Sequence, residues 1–351
     1  MYWRLIVGST RGGRRCGQSQ GLRRLALVVT PSAIVVWPAG FDYAKTLLMR
    51  IRELTQNEWQ KVAAMIHAST NAWYEANLNR SIFDEGDSSG CMIFPEVYEA
   101  LDPNCCLVAE DDHGRMMGSC FYHPRETHVS LGIMNAHPDH AGRGVAAALL
   151  AEVVSRAGDL PVRLVSSCMN LDSFSLYTRA GFAPGELYQD MYVPSEKKLP
   201  EAPAGRERIR EALEADIGAM VELEEELSGI RREKDFQFFL RNDQSIWRTL
   251  VIEGANQQID GFLGSVSHPG SNMLGPGVMR READALALIH AQLVLSGSRQ
   301  PVFLVPARAA GLVSSLYRWG ARNCELHVAQ ARGSVQHPSG ITMPTFMPET
   351  S

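Results

Sequence analysis

The chain has no Cys-x-x-Cys pair, and its seven cysteines are scattered except for the neighbours Cys105 and Cys106. An odd, irregular set of this kind excludes a disulfide framework, a zinc ribbon and a thioredoxin-like redox pair, and it fits a reduced cytoplasm. Basic residues are not in excess. The 34 Lys and Arg face 39 Asp and Glu, a net charge of −5, which argues against nucleic acid as a partner because counterion displacement needs a basic face. No metal-ligand spacing is present, so no metal is expected. The apolar run "LALVVTPSAIVVWPAGF" is cut by Pro31 and Pro38 and is short for a spanning helix, so no membrane partner is expected either.

What is present is enough apolar material, 45% of 351 residues, for two buried cores. Residues 1–48 differ in kind from the rest. Six arginines precede the Pro-broken run and no acid occurs before Asp42. This reads either as a leader or anchor or as an unfolded extension, and the extension is the expectation adopted here.

From residue 49 the chain repeats itself. "IRELTQNEWQKVAAMI" at 51 is echoed by "IREALEADIGAMVELE" at 209, an offset of 209 − 51 = 158. "PVRLVSS" at 161 returns as "PVFLVPA" at 301, and "SLYTRAGF" at 175 as "SLYRWGAR" at 315, each offset by 140. Two copies of one module are therefore expected, 49–193 and 207–351, joined by a Pro-rich charged linker, 194–206. The first copy reads as strand, helices, three strands, helix, strand, helix, strand. That pattern predicts an α/β fold of the α+β mixed-sheet kind rather than a doubly wound parallel sheet.

The stretch "HPDHAGRGVAAALL", 137–150, is a glycine turn feeding a helix, where free backbone N–H groups and the helix dipole suit an anion. It has no Lys-Ser or Lys-Thr for a nucleoside triphosphate loop. It also lacks the strand contact and the distal acid of a dinucleotide fold. Ala141-Gly142-Arg143-Gly144-Val145-Ala146, ahead of "AALL", resembles the pyrophosphate loop of the GNAT superfamily of acyl-CoA N-acyltransferases. Ala141 stands where the family usually carries Arg or Gln, and Arg143 is positioned to supply the charge. "NLDSFSLYTRAGF" resembles a second motif of that family through Asn170, Ser173, Leu176, Tyr177, Gly181 and Phe182.

The resemblance implies tandem GNAT-like domains and acetyl-CoA as cosubstrate, held by Met134, Asn135 and Ala136 on the preceding strand, by residues 141–146 and by Asn170. It implies Tyr177 as the acid for the departing thiolate. A phenol of pKa about 10 can protonate a thiolate whose thiol has a pKa of about 8.5. The base is expected at Glu126, which shares a face with His128 if the segment is extended, and His123, in the strand pair that faces the acceptor, is expected on the substrate side. Trp73, Asn77 and Arg80 fall on one helical face and are expected to line the site of an amine on a small molecule or peptide. The second copy keeps Tyr317 and Gly320, but no glycine turn opens its helix, so strong CoA binding is not expected there. "HPGSNMLGPG" (268–277) is expected to be a loop, and the tail "GITMPTFMPETS" a final strand or a strap. The rival readings are a non-catalytic acyl-CoA sensor and a dinucleotide oxidoreductase; a cytoplasmic monomer or homodimer completes the expectation.

Overall fold

A computed structural model describes residues 49–254 and 258–350, together with the backbone of Val29–Thr30 and Ala33–Ile34, which pair antiparallel. The rest of the expected extension 1–48 lies outside the described residues. Residues 44–351 form one compact unit.

The first module opens with β1 (Arg50–Glu53), α1 (Trp59–Leu78) and α2 (Ile93–Leu101), followed by β2 (Cys106–Glu110), β3 (Met116–Pro124) and β4 (Val129–Ala136). Then come α3 (Val145–Ala157), β5 (Val162–Ser167), α4 (Leu171–Arg179) and β6 (Ala183–Tyr192). The element order is the one the sequence predicts. In α3, Val145, Ala148, Leu149 and Val153 recur at helical spacing and are buried against the β3–β5 core. Gly158, at φ 60°, ends the helix where a side chain would be strained.

The second module repeats the plan with β7 (Ile209–Glu211), α5 (Ile217–Ser228), α6 (Glu233–Arg241), β8 (Trp247–Glu253), β9 (Ile259–His268) and β10 (Ser271–Met279). It continues through α7 (Glu282–Ser296), β11 (Val302–Pro306), α8 (Ala310–Arg318) and β12 (Arg322–Arg332). Three short strands close it: β13 (Ile341–Met343), β14 (Thr345–Phe346) and β15 (Glu349–Thr350). The segment expected as a loop at 268–277 is instead a tight turn and most of strand β10. Glycines make that strand possible, since a Cβ on Gly277 would stand 2.6 Å from Leu263 on β9.

The two modules share one mixed sheet in the order β1-β2-β3-β4-β5-β12-β6-β11-β10-β9-β8-β7. The last strands are exchanged. β12, from the second module, lies between β5 and β6, pairing Ser167 with His327 and Tyr188 with the same His327. β6, from the first, pairs with β11 of the second. One core on the α1/α5 face therefore contains residues of both modules, from Leu54 to Met347, while the α3 and α7/α8 faces have a core each.

A buried ion cluster crosses the modules. Arg125, in the β3–β4 turn, donates from Nε to Asp235 on α6 at 2.8 Å and from NH1 to Asp102 at 2.9 Å, and all three side chains are at most 1% exposed. His123 Nδ1 lies 2.7 Å from Asp102, and Lys234 also bonds that carboxylate. Burial pushes the Asp102 carboxyl up, but the His123 hydrogen bond and Arg125 outweigh it and hold it far below the usual range.

Arg125→Met leaves the buried Asp235 carboxylate without its guanidinium and takes one of three partners from Asp102, and the expected loss is about 3–5 kcal/mol in urea unfolding. Because Asp102 titrates lower folded than unfolded, its contribution is full above about pH 4 and disappears as the pH falls below that value. Unfolding midpoints recorded from pH 7 to pH 3 check this: the wild type should lose stability steeply below pH 4, and Asp102→Asn should flatten that slope.

Candidate active site

β4 and β5 run parallel but pair only at Val129–Val162 and Ser130–Arg163. Beyond those two pairs they part. The cause is local: between Cys120–Met134 and Tyr122–Leu131, β4 carries one more residue than β3, a bulge at Gly132 and Ile133 that bends the strand away. The parting opens a cavity of about 220 Å³, lined by Leu131–Asn135 on one side and Leu164–Ser167 on the other. Asn170, Ser173 and Tyr177 from the α4 segment, Thr70 from α1 and Phe346 from the tail complete the wall.

The head of α3 stands at the open end of the parting. Gly142 and Gly144 have φ of 71° and 81°, in the region that favours glycine. Residues 141–143 are exposed and no side chain caps the helix, so its first N–H groups have no helical partner. Gly118 on β3 lets this turn come close. A Cβ there would lie 2.6 Å from both the Asn135 carbonyl oxygen and Val145 Cγ1.

The structure brings most of the expected residues together. Met134, Asn135, Asn170 and Tyr177 line one cleft, and Ala136 leads from it through Pro138–His140 to the exposed Ala141, Gly142 and Arg143 and the helix start at Gly144, Val145 and Ala146. Asn170 caps α4, accepting from Ser173 N at 3.0 Å. Tyr177 is buried, its ring 5.8 Å from Phe182. Asn135 Nδ2 donates to Ser69 on α1 at 2.6 Å, while its Oδ1 and the Ser166 hydroxyl are buried without a partner.

Other expected residues stand elsewhere. "HPRETH" is a turn, so Glu126 is exposed while His128 is buried, and the two do not share a face. His123 belongs to the buried cluster with Asp102. Both are at the end of β4 remote from the glycine turn, about 24 Å for seven strand steps. On α1, Asn77 is exposed and bonds back to Trp73 O at 2.8 Å. Arg80 lies past the helix, beyond the left-handed Asn79. It is Tyr74 and Arg80, rather than Trp73 and Asn77, that reach inward, to Glu325 on β12 at 2.8 and 3.4 Å. Spacing along α1 could have favoured Thr70 and Tyr74, four residues apart; the partner strand could not be read locally.

The corresponding parting in the second module is filled by the chain itself. β13 pairs with Gly277–Met279 of β10. The head of α7 holds its own carboxylates: Asp284 is bonded by Arg208 and Arg281, and Glu282 accepts from Leu312 N. Tyr317 is 47% exposed and donates to Gln189 at 2.7 Å. Among the described residues no group of three or more His, Cys, Asp or Glu could hold a metal ion, and no helix is long and apolar enough to cross a membrane.

The parted parallel strands, the uncapped glycine turn and the tyrosine on the following helix are the arrangement of a GNAT-like fold. Residues 64–182, about a third of the chain and within the first module, match the model of the acetyltransferase (GNAT) family. The fold of the whole is that of solved GNAT proteins. A putative acetyltransferase from Pyrococcus horikoshii superposes with TM-score 0.64 at 14% identity, over 85% of this chain and 93% of the other. A GCN5-related N-acetyltransferase from Sphaerobacter thermophilus gives 0.56 at 18%, over 81% and 95%. A tandem GNAT protein from the clavulanic acid biosynthesis pathway gives 0.53 at 14%, over 81% and 98%. No curated protein matches the sequence.

Gly118→Ala places a methyl against backbone and Val145. It should cost about 1–3 kcal/mol, seen as a lower urea midpoint, whereas Gly86→Ala, where nothing lies within 4 Å, should cost less despite its positive φ.

Proposed function

We propose that the first module transfers an acetyl group from acetyl-CoA to a primary amine of a small molecule or peptide, by direct attack of the amine. The observation that carries this reading is the uncapped turn at 142–144, exposed at Gly142 and Arg143, that leads into α3 at the mouth of the β4–β5 parting, with Tyr177 in its wall. Main-chain N–H groups that face water at a helix head suit a diphosphate. The unpaired edge of β4 from Leu131 to Asn135 suits an amide-bearing arm lying along it like an added strand. The unpartnered Ser166 hydroxyl and Asn135 oxygen in the same cleft are buried polar atoms that a polar ligand would satisfy.

The thioester, when bound, supplies an activated acyl carbon. The chain's own groups then have separate tasks. A β4 main-chain N–H near the bulge polarises the thioester carbonyl. Tyr177 holds the proton that the leaving sulfur needs. The walls from Thr70 and Phe346 restrict the acceptor side.

Calorimetry with acetyl-CoA and thiol release against a panel of amines test the reading. The wild type should bind and turn over. Gly144→Val, strained at φ 81°, should weaken acetyl-CoA binding at least tenfold. Tyr177→Phe should bind normally and lose about 10²-fold in kcat. Equal background rates in wild type and Tyr177→Phe would support an acyl-CoA sensor instead, and no binding heat would end the proposal.

A further inference from the structure

Strand β12 sets His327 directly across from Ser167, a residue of the cleft wall. Cross-strand partners point to one face with Cα atoms about 5 Å apart. The imidazole also packs on Phe346, ring centroids 4.8 Å apart, and Phe346 is another residue of that wall. His327 Nδ1 lies 2.9 Å from Asp190 Oδ1 on β6, and both residues are buried. With Nδ1 spent on Asp190, Nε2 is bonded by no other group among the described residues. Glu325, two residues earlier on β12, is already engaged through Oε2 by Tyr74 and Arg80 and stands further from Ser167.

We propose that His327, oriented by Asp190, is the base that takes the proton of the acceptor amine, so that the second module completes the first module's active site through the exchanged strand. The inference rests on the acetyl-transfer reading above. The amine nitrogen gives one proton to Nε2, directly or through one water, as its lone pair forms the N–C bond. The C–S bond breaks, and the thiolate takes the Tyr177 proton. His327 then returns its proton to solvent and Tyr177 regains one, leaving amide and free thiol.

The charged groups acting on the imidazole are Asp190 from β6 and Glu325 from β12; Tyr74 from α1 and Arg80, just past that helix, bond Glu325, and the Cys168 and Cys324 thiols feel the same two carboxylates. Burial lowers the imidazole's affinity for a proton, but the Asp190 and Glu325 carboxylates outweigh it and raise its pKa above the ordinary value. A base must be neutral to act, so activity should climb with pH through that raised value and fall off below it.

The test is kcat/KM for the amine against pH at saturating acetyl-CoA, with acetyl-CoA affinity measured by calorimetry as the control for folding. Wild type should show an acidic limb with apparent pKa above about 6.5. His327→Gln should lose about 10²- to 10³-fold and the limb itself, with acetyl-CoA affinity unchanged. Asp190→Asn, which keeps the imidazole, should move the limb to lower pH. Glu325→Gln should retain a limb. A His327→Gln protein with wild-type kcat/KM and limb overturns the inference while leaving acetyl transfer standing, as does a limb lost only in Glu325→Gln. Wild-type protein that binds acetyl-CoA yet releases no thiol with any amine overturns both.

Discussion

The structure depends on the refusal of β4 to stay paired with β5. Two residue pairs hold the strands together at Val129 and Ser130, and a one-residue bulge at Gly132 and Ile133 then turns β4 away. Buried backbone groups left unpaired in this way would be costly unless something else satisfies them. The protein meets that requirement differently in its two halves. In the second module the chain lays β13 along β10 and fills the space itself. In the first, the tail strand β15 comes close to both β4 and β5 without pairing with either, and the edge from Leu131 to Asn135 faces a cavity with the uncapped head of α3 beside it. The same architectural defect is closed by a paired strand in one module and only partly covered by the tail in the other.

The open module can tolerate this because β5 is secured on its other edge. β12 pairs with β5 along six residues, from Val162 to Ser167, and then with β6. β5 is therefore held by a strand that the other module supplies, and its loss of contact with β4 does not leave it free. The exchange has a further consequence: neither module has a complete sheet without the other. The shared core on the α1/α5 face and the Arg125 cluster, which joins Asp102 of one module to Asp235 of the other, belong to the same dependence.

Features set by a few neighbouring residues were legible in the sequence. Gly142 and Gly144 announced the turn, because a turn of this kind is a choice of φ that glycine permits. The internal repeat pointed to the order of strands and helices that the chain runs through twice. What was not legible depends on pairing at long range. Nothing near "ELHVAQ" says that β12 will lie between β5 and β6. "HPRETH" could have continued as a strand, and only the tight β3–β4 turn separates Glu126 from His128. "HPGSNMLGPG" carries loop-like composition, yet its glycines stand where other parts of the chain come close: Gly270 faces Gly90, Gly275 the tail at Pro344, and Gly277 Leu263 of β9. On α1 the periodicity identified an inward face but could not distinguish Trp73 from Tyr74 without the strand that carries Glu325.

The second module therefore need not be a relic, even though its own binding cleft is closed. A side chain placed on an edge loop must be ordered at each encounter, whereas one on a strand paired on both sides is ordered when the protein folds. β12 is such a strand, and Asp190 and Tyr188 lie across from its residues on β6 while Ser167 lies across on β5. His327 on it is set beside Ser167 and Phe346 of the cleft wall when the strand pairs. Closing the second cleft with β13 serves the same end, because the segment that fills it continues through Phe346 to the wall of the first. The two modules have thus diverged into a cleft and the framework that finishes it.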